Sequence, residues 1–117
     1  MKTSYYKSPL LKPDMNLVRI STSSPKWFPW ALRPYPKLYP GWDLVRGYKE
    51  GRANEAEARE GYYAKILSKL NPQEVFADLG EDAVLICWEK SGTFCHRRIV
   101  AEWFRDRLDI RVYELSQ

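Results

Sequence analysis

The sequence predicts an α/β protein in which about four mostly parallel strands are combined with three helices. Three observations lead to this prediction. Helical and extended patterns alternate along the last two thirds of the 117-residue chain. Residues 83–88 are apolar at every position, which is typical of a central parallel strand covered on both faces. Hydrophobic residues make up 44% of the chain, enough to close one core, so we expect residues 1–117 to form a single domain.

The first third of the chain contains two predicted strands and one irregular segment. Residues 17–20 are predicted as a strand, and residues 3–6 as an edge strand. Between residues 21 and 52 lie five of the eight prolines and three of the five tryptophans, which exclude a long regular element. Irregular segments of this length usually bind or cover something. We expect the tryptophans to form an aromatic lid over a site, a second small core, or both.

Two helices are predicted next. Asn54 and Glu57 have the spacing of a capping box, and apolar residues then recur at helical intervals, so a helix is predicted over 55–69. Asn71 and Pro72 repeat the start signal and Gly80 supplies a stop. The second helix is therefore predicted over 72–79.

The C-terminal part is predicted as a strand, a helix and a second strand. The apolar core strand over 83–88 is followed by a polar turn over 89–93. A third helix starts near residues 93–95, and Ile99, Val100, Trp103 and Phe104 mark its buried face. Residues 110–115 return as a strand. This order is that of a βαβ unit, which places the two strands parallel in one sheet.

Positive charge is concentrated in the first part of the chain. The net charge is +4, but the residues up to Trp42 include seven basic residues and one acidic residue, a local charge of +6. The remainder carries 12 basic and 14 acidic residues. Such a basic region can attract phosphate, nucleotides or nucleic acid. The alternative is that these lysines and arginines are an ordinary solvated surface.

Composition also bears on location and redox state. No apolar run approaches the roughly 18 residues of a membrane span, and the first six residues lack the apolar core of a signal peptide. We therefore expect a cytoplasmic protein with no membrane partner. Two cysteines in such a chain are expected to be reduced thiols rather than a disulfide.

The strand-to-helix region carries Cys-Trp-Glu-Lys at 87–90, Phe-Cys-His-Arg at 94–97 and Val-Ala-Glu-Trp at 100–103. This region resembles the signature of the domain of unknown function 488 family, in its compact bacterial and phage branch. Residues 24–28, 42–45 and 47–49 are also similar to family segments. Longer members usually carry Asp-Val-Arg at the end of the early strand, where this chain has Arg19-Ile20-Ser21. The resemblance implies a small Rossmann-like three-layer domain, and it implies no established activity.

The candidate ligand site lies where two predicted strands end. In open α/β sheets ligands bind beyond the carboxyl ends of the strands, close to helix N-termini. The early strand leads into a hydroxyl-rich loop, and the core strand leads to the start of the third helix, where backbone N–H groups and arginines stabilise an anion. If the two strands are adjacent, these groups can surround a phosphate, although no glycine-rich phosphate loop is present. The expected ligand-binding residues are Ser21, Ser23, Lys26, Trp27 and Arg97.

Three residues at the same edge are candidates for catalysis. His96 is the only histidine, and a position in the first turn of a helix keeps its imidazole neutral, which suits acid/base chemistry. The alternative is that His96 simply bonds the turn before the helix. Glu89 can orient His96 or act as the base. Cys95 can act as a nucleophile at a helix N-terminus, but the Cys-x5-Arg loop of phosphate-handling thiol enzymes is missing, and buried cysteine is the commoner case.

No metal and no cofactor are expected from the sequence. A zinc site built from Cys87, Cys95 and His96 would need a fourth ligand and a strand interior opened to the metal. Whether the protein is an enzyme stays open at this stage.

Two classes of function follow. The first is a small domain that binds an anionic, nucleotide-like ligand, a phosphate-bearing small molecule, at the carboxyl edge of the strands, with or without acid/base chemistry. The second is a non-enzymatic module that binds nucleic acid or protein through the basic, tryptophan-rich segment, including a phage-encoded inhibitor or a ligand sponge. The oligomeric state is not predicted.

Overall fold

The computed structural model describes residues 1–90, 92 and 94–116. The strands are β1 (Lys2–Tyr5), β2 (Asn16–Arg19), β3 (Arg33–Pro34), β4 (Ala83–Cys87) and β5 (Tyr113–Glu114). The helices are α1 (Trp42–Lys49), α2 (Glu55–Lys65), α3 (Pro72–Leu79) and α4 (His96–Leu108). All five strands are parallel, in the order β3-β2-β4-β1-β5. The predicted α/β fold is confirmed, with one strand and one helix more than expected, and it is compatible with a small Rossmann-like domain.

β4 is the central strand, as its apolar sequence predicts. Its five residues are all buried, and it pairs with β1 on one side and with β2 on the other. Successive side chains point to opposite faces of the sheet. Leu85 therefore joins one apolar cluster, whereas Val84 and Ile86 join a second cluster on the other face.

The two faces of the sheet are covered differently. Side chains of α2, α3 and α4 pack in the larger cluster, around Trp103 and Phe104. The cluster on the opposite face contains Tyr6 and Leu11 together with Phe28 and Trp30, which belong to loops. Among the described residues the third layer is thus made of loops, where a typical Rossmann-like domain has helices.

Most helix boundaries follow the predicted signals. Asn54 and Glu57 form a capping box at the start of α2, and the Asn71 side chain accepts hydrogen bonds from the first turn of α3. α2 is shorter than its predicted range, because the chain departs from α-helical geometry at Ile66 (φ −114°, ψ −67°) and continues as a 3₁₀ turn over Leu67–Lys69. α4 begins at His96 and ends at Leu108, and the next residue, Asp109, caps it with a left-handed φ of 56°. Ser91 and Thr93, which belong to the predicted turn and helix start, lie outside the described residues.

The segment over 21–52 is more regular than predicted. It contains β3, a 3₁₀ turn over Pro36–Leu38, and the two-turn helix α1. β3 lies at the edge of the sheet, where the missing N–H of Pro34 is tolerated. Gly61 of α2 allows α1 to approach, since a Cβ atom there would lie 2.9 Å from Leu44 Cδ2. No helix in the described part of the chain is both long and apolar enough to cross a membrane.

Candidate functional site

A cavity of about 490 Å³ lies beyond the carboxyl ends of β2 and β4. These strands are neighbours, but the chain leaves them in opposite directions: β2 continues to β3 at one edge of the sheet, and β4 continues through α4 to β5 at the other. Such a topological switch point is where open α/β sheets bind ligands. The volume lies within the range of about 300–1,000 Å³ found for small-molecule sites.

Of the residues that the structure describes, five with aromatic side chains line the cavity. Trp42 and Tyr48 come from α1, Tyr62 from α2, and Trp88 and Phe94 from the segment between β4 and α4. Trp42 and Trp88 are 50% and 43% exposed, so their rings remain open to an incoming molecule. The wall therefore offers flat apolar surface to a ligand.

The loop after β2 forms one rim, and its hydroxyl groups make internal bonds. The Ser21 hydroxyl is 2.5 Å from the Tyr6 hydroxyl and donates to the Ser23 carbonyl at 2.6 Å. Thr22 Oγ1 accepts from the backbone N–H of Gly41 at 3.1 Å. Trp88 Nε1 donates to the Ser23 carbonyl at 2.9 Å. These bonds hold the loop against α1 and β4, so Ser21 and Thr22 shape the rim and are only partly available to a ligand.

His96 is oriented by its two ring nitrogens. Nε2 lies 2.7 Å from the Ile20 carbonyl oxygen, and Nδ1 lies 3.3 Å from Cys87 Sγ and 3.8 Å from Cys95 Sγ. Burial lowers the pKa of His96 to about 4; the bond to Ile20 opposes this shift and the Arg97 charge adds to it. The ring is therefore neutral at pH 7. Because a carbonyl can only accept, Nε2 carries the proton and Nδ1 carries the lone pair.

The two cysteines meet beside His96. Cys87 is the last residue of β4, Cys95 precedes the first residue of α4, and the structure joins them as a disulfide. The expectation of two free thiols is therefore wrong for this state of the protein. The two sulfur atoms meet because the end of β4 and the start of α4 converge across a short connection. Cys87 also lines the cavity, so it does not lie in a closed strand interior.

Arg97 and Arg98 point away from the cavity. Arg97 is 1% exposed and donates to both carboxylate oxygens of Glu114, at 3.1 and 2.8 Å, and to the Glu89 carbonyl at 2.6 Å. Arg98 donates to Thr3 Oγ1 and to the Val112 carbonyl. Arg97 instead borders a second cavity of about 410 Å³, together with Glu114. Its charge is compensated inside the protein, outside the first cavity, and the expected contact between Arg97 and a bound anion stays a prediction.

The structure brings five of the eight predicted site residues to one cavity. Ser21, Ser23, Glu89, Cys95 and His96 line it, whereas the exposed side chains of Lys26 and Trp27 and the buried Arg97 do not. Trp42 belongs to the segment expected to cover a site, but sequence reasoning missed other residues of α1 that line the cavity, such as Val45, Tyr48 and Lys49, although steps of three and four residues from position 42 mark one helical face. Among the described residues, Lys49 is the only lysine or arginine lining the cavity, and Glu89 is the only carboxylate.

Comparisons with protein-family models, with curated proteins and with solved structures find no match for this chain. The resemblance to the domain of unknown function 488 family stays a prediction.

Proposed function

We propose that the cavity at the β2–β4 switch point binds a small nucleotide-like molecule, with a planar aromatic ring and one anionic group. The observation that carries the proposal is the set of aromatic side chains from three chain segments around one opening of about 490 Å³. Stacking on an aromatic side chain contributes about 1–3 kcal/mol per base, so two half-exposed tryptophans supply useful affinity. The shape and chemistry of the wall favour a flat ring over a flexible apolar chain.

The charged groups around the cavity suit a single anionic group. Lys49 supplies one positive charge, and α4 begins at the cavity, where the backbone N–H groups of its first turn carry partial positive charge. The Cys95 side chain makes no capping bond to these N–H groups. Glu89 places one negative charge on the same wall, which disfavours a ligand with several phosphates. A nucleoside monophosphate therefore suits the cavity better than a triphosphate.

The geometry supports binding more than acid/base catalysis. The Nε2 proton of His96 is held by Ile20, and the free Nδ1 faces two sulfur atoms rather than the open space of the cavity. Glu89 lines the cavity and can accept a hydrogen bond from a ligand. We therefore assign Glu89 a binding role and leave a reaction out of the proposal.

The test compares two pairs of matched variants in thermal-shift and calorimetric titrations with nucleoside monophosphates and the corresponding nucleosides. Trp42→Ala removes a half-exposed ring inside the cavity, and Trp27→Ala removes an equally exposed ring outside it. We expect Trp42→Ala to weaken binding at least about tenfold, the equivalent of 1.4 kcal/mol of stacking. Lys49→Ala should abolish the preference for monophosphate over nucleoside, and Lys26→Ala should leave it unchanged.

The same variants test the alternative function, in which the 21–52 segment binds nucleic acid or protein. That alternative rests on Trp27, which is 52% exposed beside the exposed Lys26. It predicts that Trp27→Ala weakens binding of single-stranded oligonucleotides, with an affinity that falls steeply as salt rises. Equal losses in Trp27→Ala and Trp42→Ala, or no binding of any monophosphate or nucleoside, would contradict the cavity proposal.

A further inference from the structure

Cys87, Cys95 and His96 form a cluster of metal-ligating side chains that the proposed function does not use. Their ligand atoms all lie within 4.8 Å of one another. Each comes from a fixed position: the end of the central strand β4, the residue before α4, and the first residue of α4. We propose that, when both cysteines are reduced, these three side chains bind one thiophilic divalent cation such as zinc, with a fourth position open to the cavity.

The orientation of His96 is that of a metal ligand. Nε2 donates to the Ile20 carbonyl at 2.7 Å, so the Nδ1 lone pair is aimed at the two sulfur atoms. Metal-binding histidines almost always donate their other N–H to a carboxylate, a backbone carbonyl or water, which fixes the ring in this way. A disulfide has no proton to donate to Nδ1. A metal ion between the ring and the sulfurs would accept this lone pair.

The distances from His96 to the two sulfurs fit tetrahedral coordination, whereas the sulfurs are bonded to each other in the structure and must separate to about 3.8 Å to bind one ion. With Zn–S of about 2.3 Å and Zn–N of about 2.0–2.1 Å, neighbouring sulfur and nitrogen ligands of one tetrahedral ion lie about 3.5 Å apart. The two separations between His96 Nδ1 and the sulfurs, 3.3 and 3.8 Å, bracket this value. The Cα atoms of Cys87 and Cys95 are 7.3 Å apart, wider than most disulfides span. The backbone therefore holds the two sulfurs as neighbours without requiring a bond between them.

Metal binding requires the disulfide to open by exchange with a thiol reductant. A thiol reductant delivers two electrons and two protons, which break the S–S bond and give two Cys S–H groups, while the reductant becomes a disulfide. The cation then binds two thiolates and the neutral His96 ring, and the two thiol protons pass to solvent. The two thiolates neutralise the 2+ charge of the ion, so a buried site carries no net charge.

The site would be open on one side. Cys87, Cys95 and His96 all line the 490 Å³ cavity, so the fourth position faces the space where the proposed ligand binds. Three protein ligands and one open position are typical of zinc sites that bind water or a substrate, whereas structural zinc sites have four protein ligands. Both sequence-based objections, a missing fourth ligand and a closed strand interior, are met by this placement.

The test is a titration of the fully reduced, chelator-treated protein with Co²⁺ followed by Zn²⁺. We expect one equivalent of Co²⁺ to give a thiolate-to-cobalt charge-transfer band and tetrahedral d–d bands, and Zn²⁺ to remove them. Cys87→Ser and Cys95→Ser should each weaken Co²⁺ binding at least a hundredfold. His96→Gln should lose the band pattern of the wild type. Trp27→Ala, which removes an exposed ring outside the cavity, should keep the wild-type spectrum.

A second measurement uses the unmodified chain, in case the cysteine variants do not fold. With Zn²⁺ bound, both thiols of the reduced wild type should resist alkylation and the melting temperature should rise with metal concentration. The proposal is overturned if the reduced protein gives no charge-transfer band, or if both thiols are alkylated equally fast with and without Zn²⁺. It is also overturned if the disulfide re-forms in mild reductant despite saturating Zn²⁺. Nucleotide binding is measured separately in chelator, so the two proposals fail independently.

Discussion

The ion pair between Arg97 and Glu114 gives a stability prediction that can be worked from the structure. Arg97 is 1% exposed, and two of its nitrogens donate to the two oxygens of Glu114 at 3.1 and 2.8 Å. Glu114→Gln keeps the size of the side chain but leaves the buried guanidinium uncompensated. Removing one partner of a buried pair costs about 3–5 kcal/mol. Because the Glu114 side chain is 22% exposed and water can reach it, we expect a loss near the lower end of that range.

Arg97→Met is the matched control, because it removes the buried positive charge instead of leaving that charge without its carboxylate partner. The remaining carboxylate of Glu114 still accepts a hydrogen bond from Thr3 Oγ1 at 2.6 Å and can be hydrated. The carbonyl of the half-buried Glu89 loses its bond from Arg97, at a cost of about 1 kcal/mol because water can replace part of that bond. We therefore expect Arg97→Met to destabilise the protein less than Glu114→Gln does.

The assay is equilibrium unfolding in urea, followed by both circular dichroism and tryptophan fluorescence. A change of midpoint with an unchanged slope reports a change in stability alone. The reasoning is refuted if Glu114→Gln unfolds within about 0.5 kcal/mol of the wild type, the usual range of a neutral surface substitution. It is also refuted if Arg97→Met is the more damaging change.

Three further predictions concern local features. In metal-free protein, burial lowers the pKa of His96 to about 4, so between pH 6.5 and about 4 the unfolded chain binds a proton that the folded chain does not. The free energy of unfolding therefore falls by about 3 kcal/mol as the pH drops through this window. Urea midpoints compared across pH should show no such loss in His96→Asn. Asp109→Gly should stabilise the protein by about 0.5–1 kcal/mol, because Asp109 has a left-handed φ and a negative charge at the C-terminus of α4; an unchanged melting temperature would contradict this. Asn71→Ala should cost about 1 kcal/mol through loss of the α3 cap, whereas the same change at the exposed Gln73, which caps nothing, should cost less than half as much by urea unfolding.

Local signals explain which parts of the fold are predictable from sequence. Asn54, Asn71 and Gly80 mark their helix ends because caps and glycine act within a few residues. α1 lacks such a signal: it follows Gly41, which has no side chain to cap it, and it is only two turns long. β3 is missed because its two residues join the sheet through backbone pairing with β2, which leaves no pattern in the sequence.

The candidate site is predictable only where it depends on strand ends. Ser21 and Glu89 share a cavity because β2 and β4 are neighbours. The sequence places each residue just after a strand, but it does not show whether the two strands pair. The surroundings of Arg97 depend on a contact between distant parts of the chain. Glu114 reaches it because β5 lies beside β1, and only the assembled sheet shows that pairing. Charged residues near a helix start are therefore poor evidence for an anion site until their partners are known.

The order of the strands also has a consequence for synthesis of the chain on the ribosome. β1 and β2 are made first, but the strand that joins them, β4, ends at residue 87. β1 pairs only with β4 and β5, both later in the chain, so before residue 83 emerges the nascent chain can form only the short β2–β3 pair. β1 and β2, including the apolar Leu17 and Val18 of β2, therefore remain without their central partner strand for most of translation. Assembly of this sheet is almost entirely a late event, governed by pairings such as Asn16 with Ala83 and Lys2 with Tyr113, about 70 to 110 positions apart in the sequence.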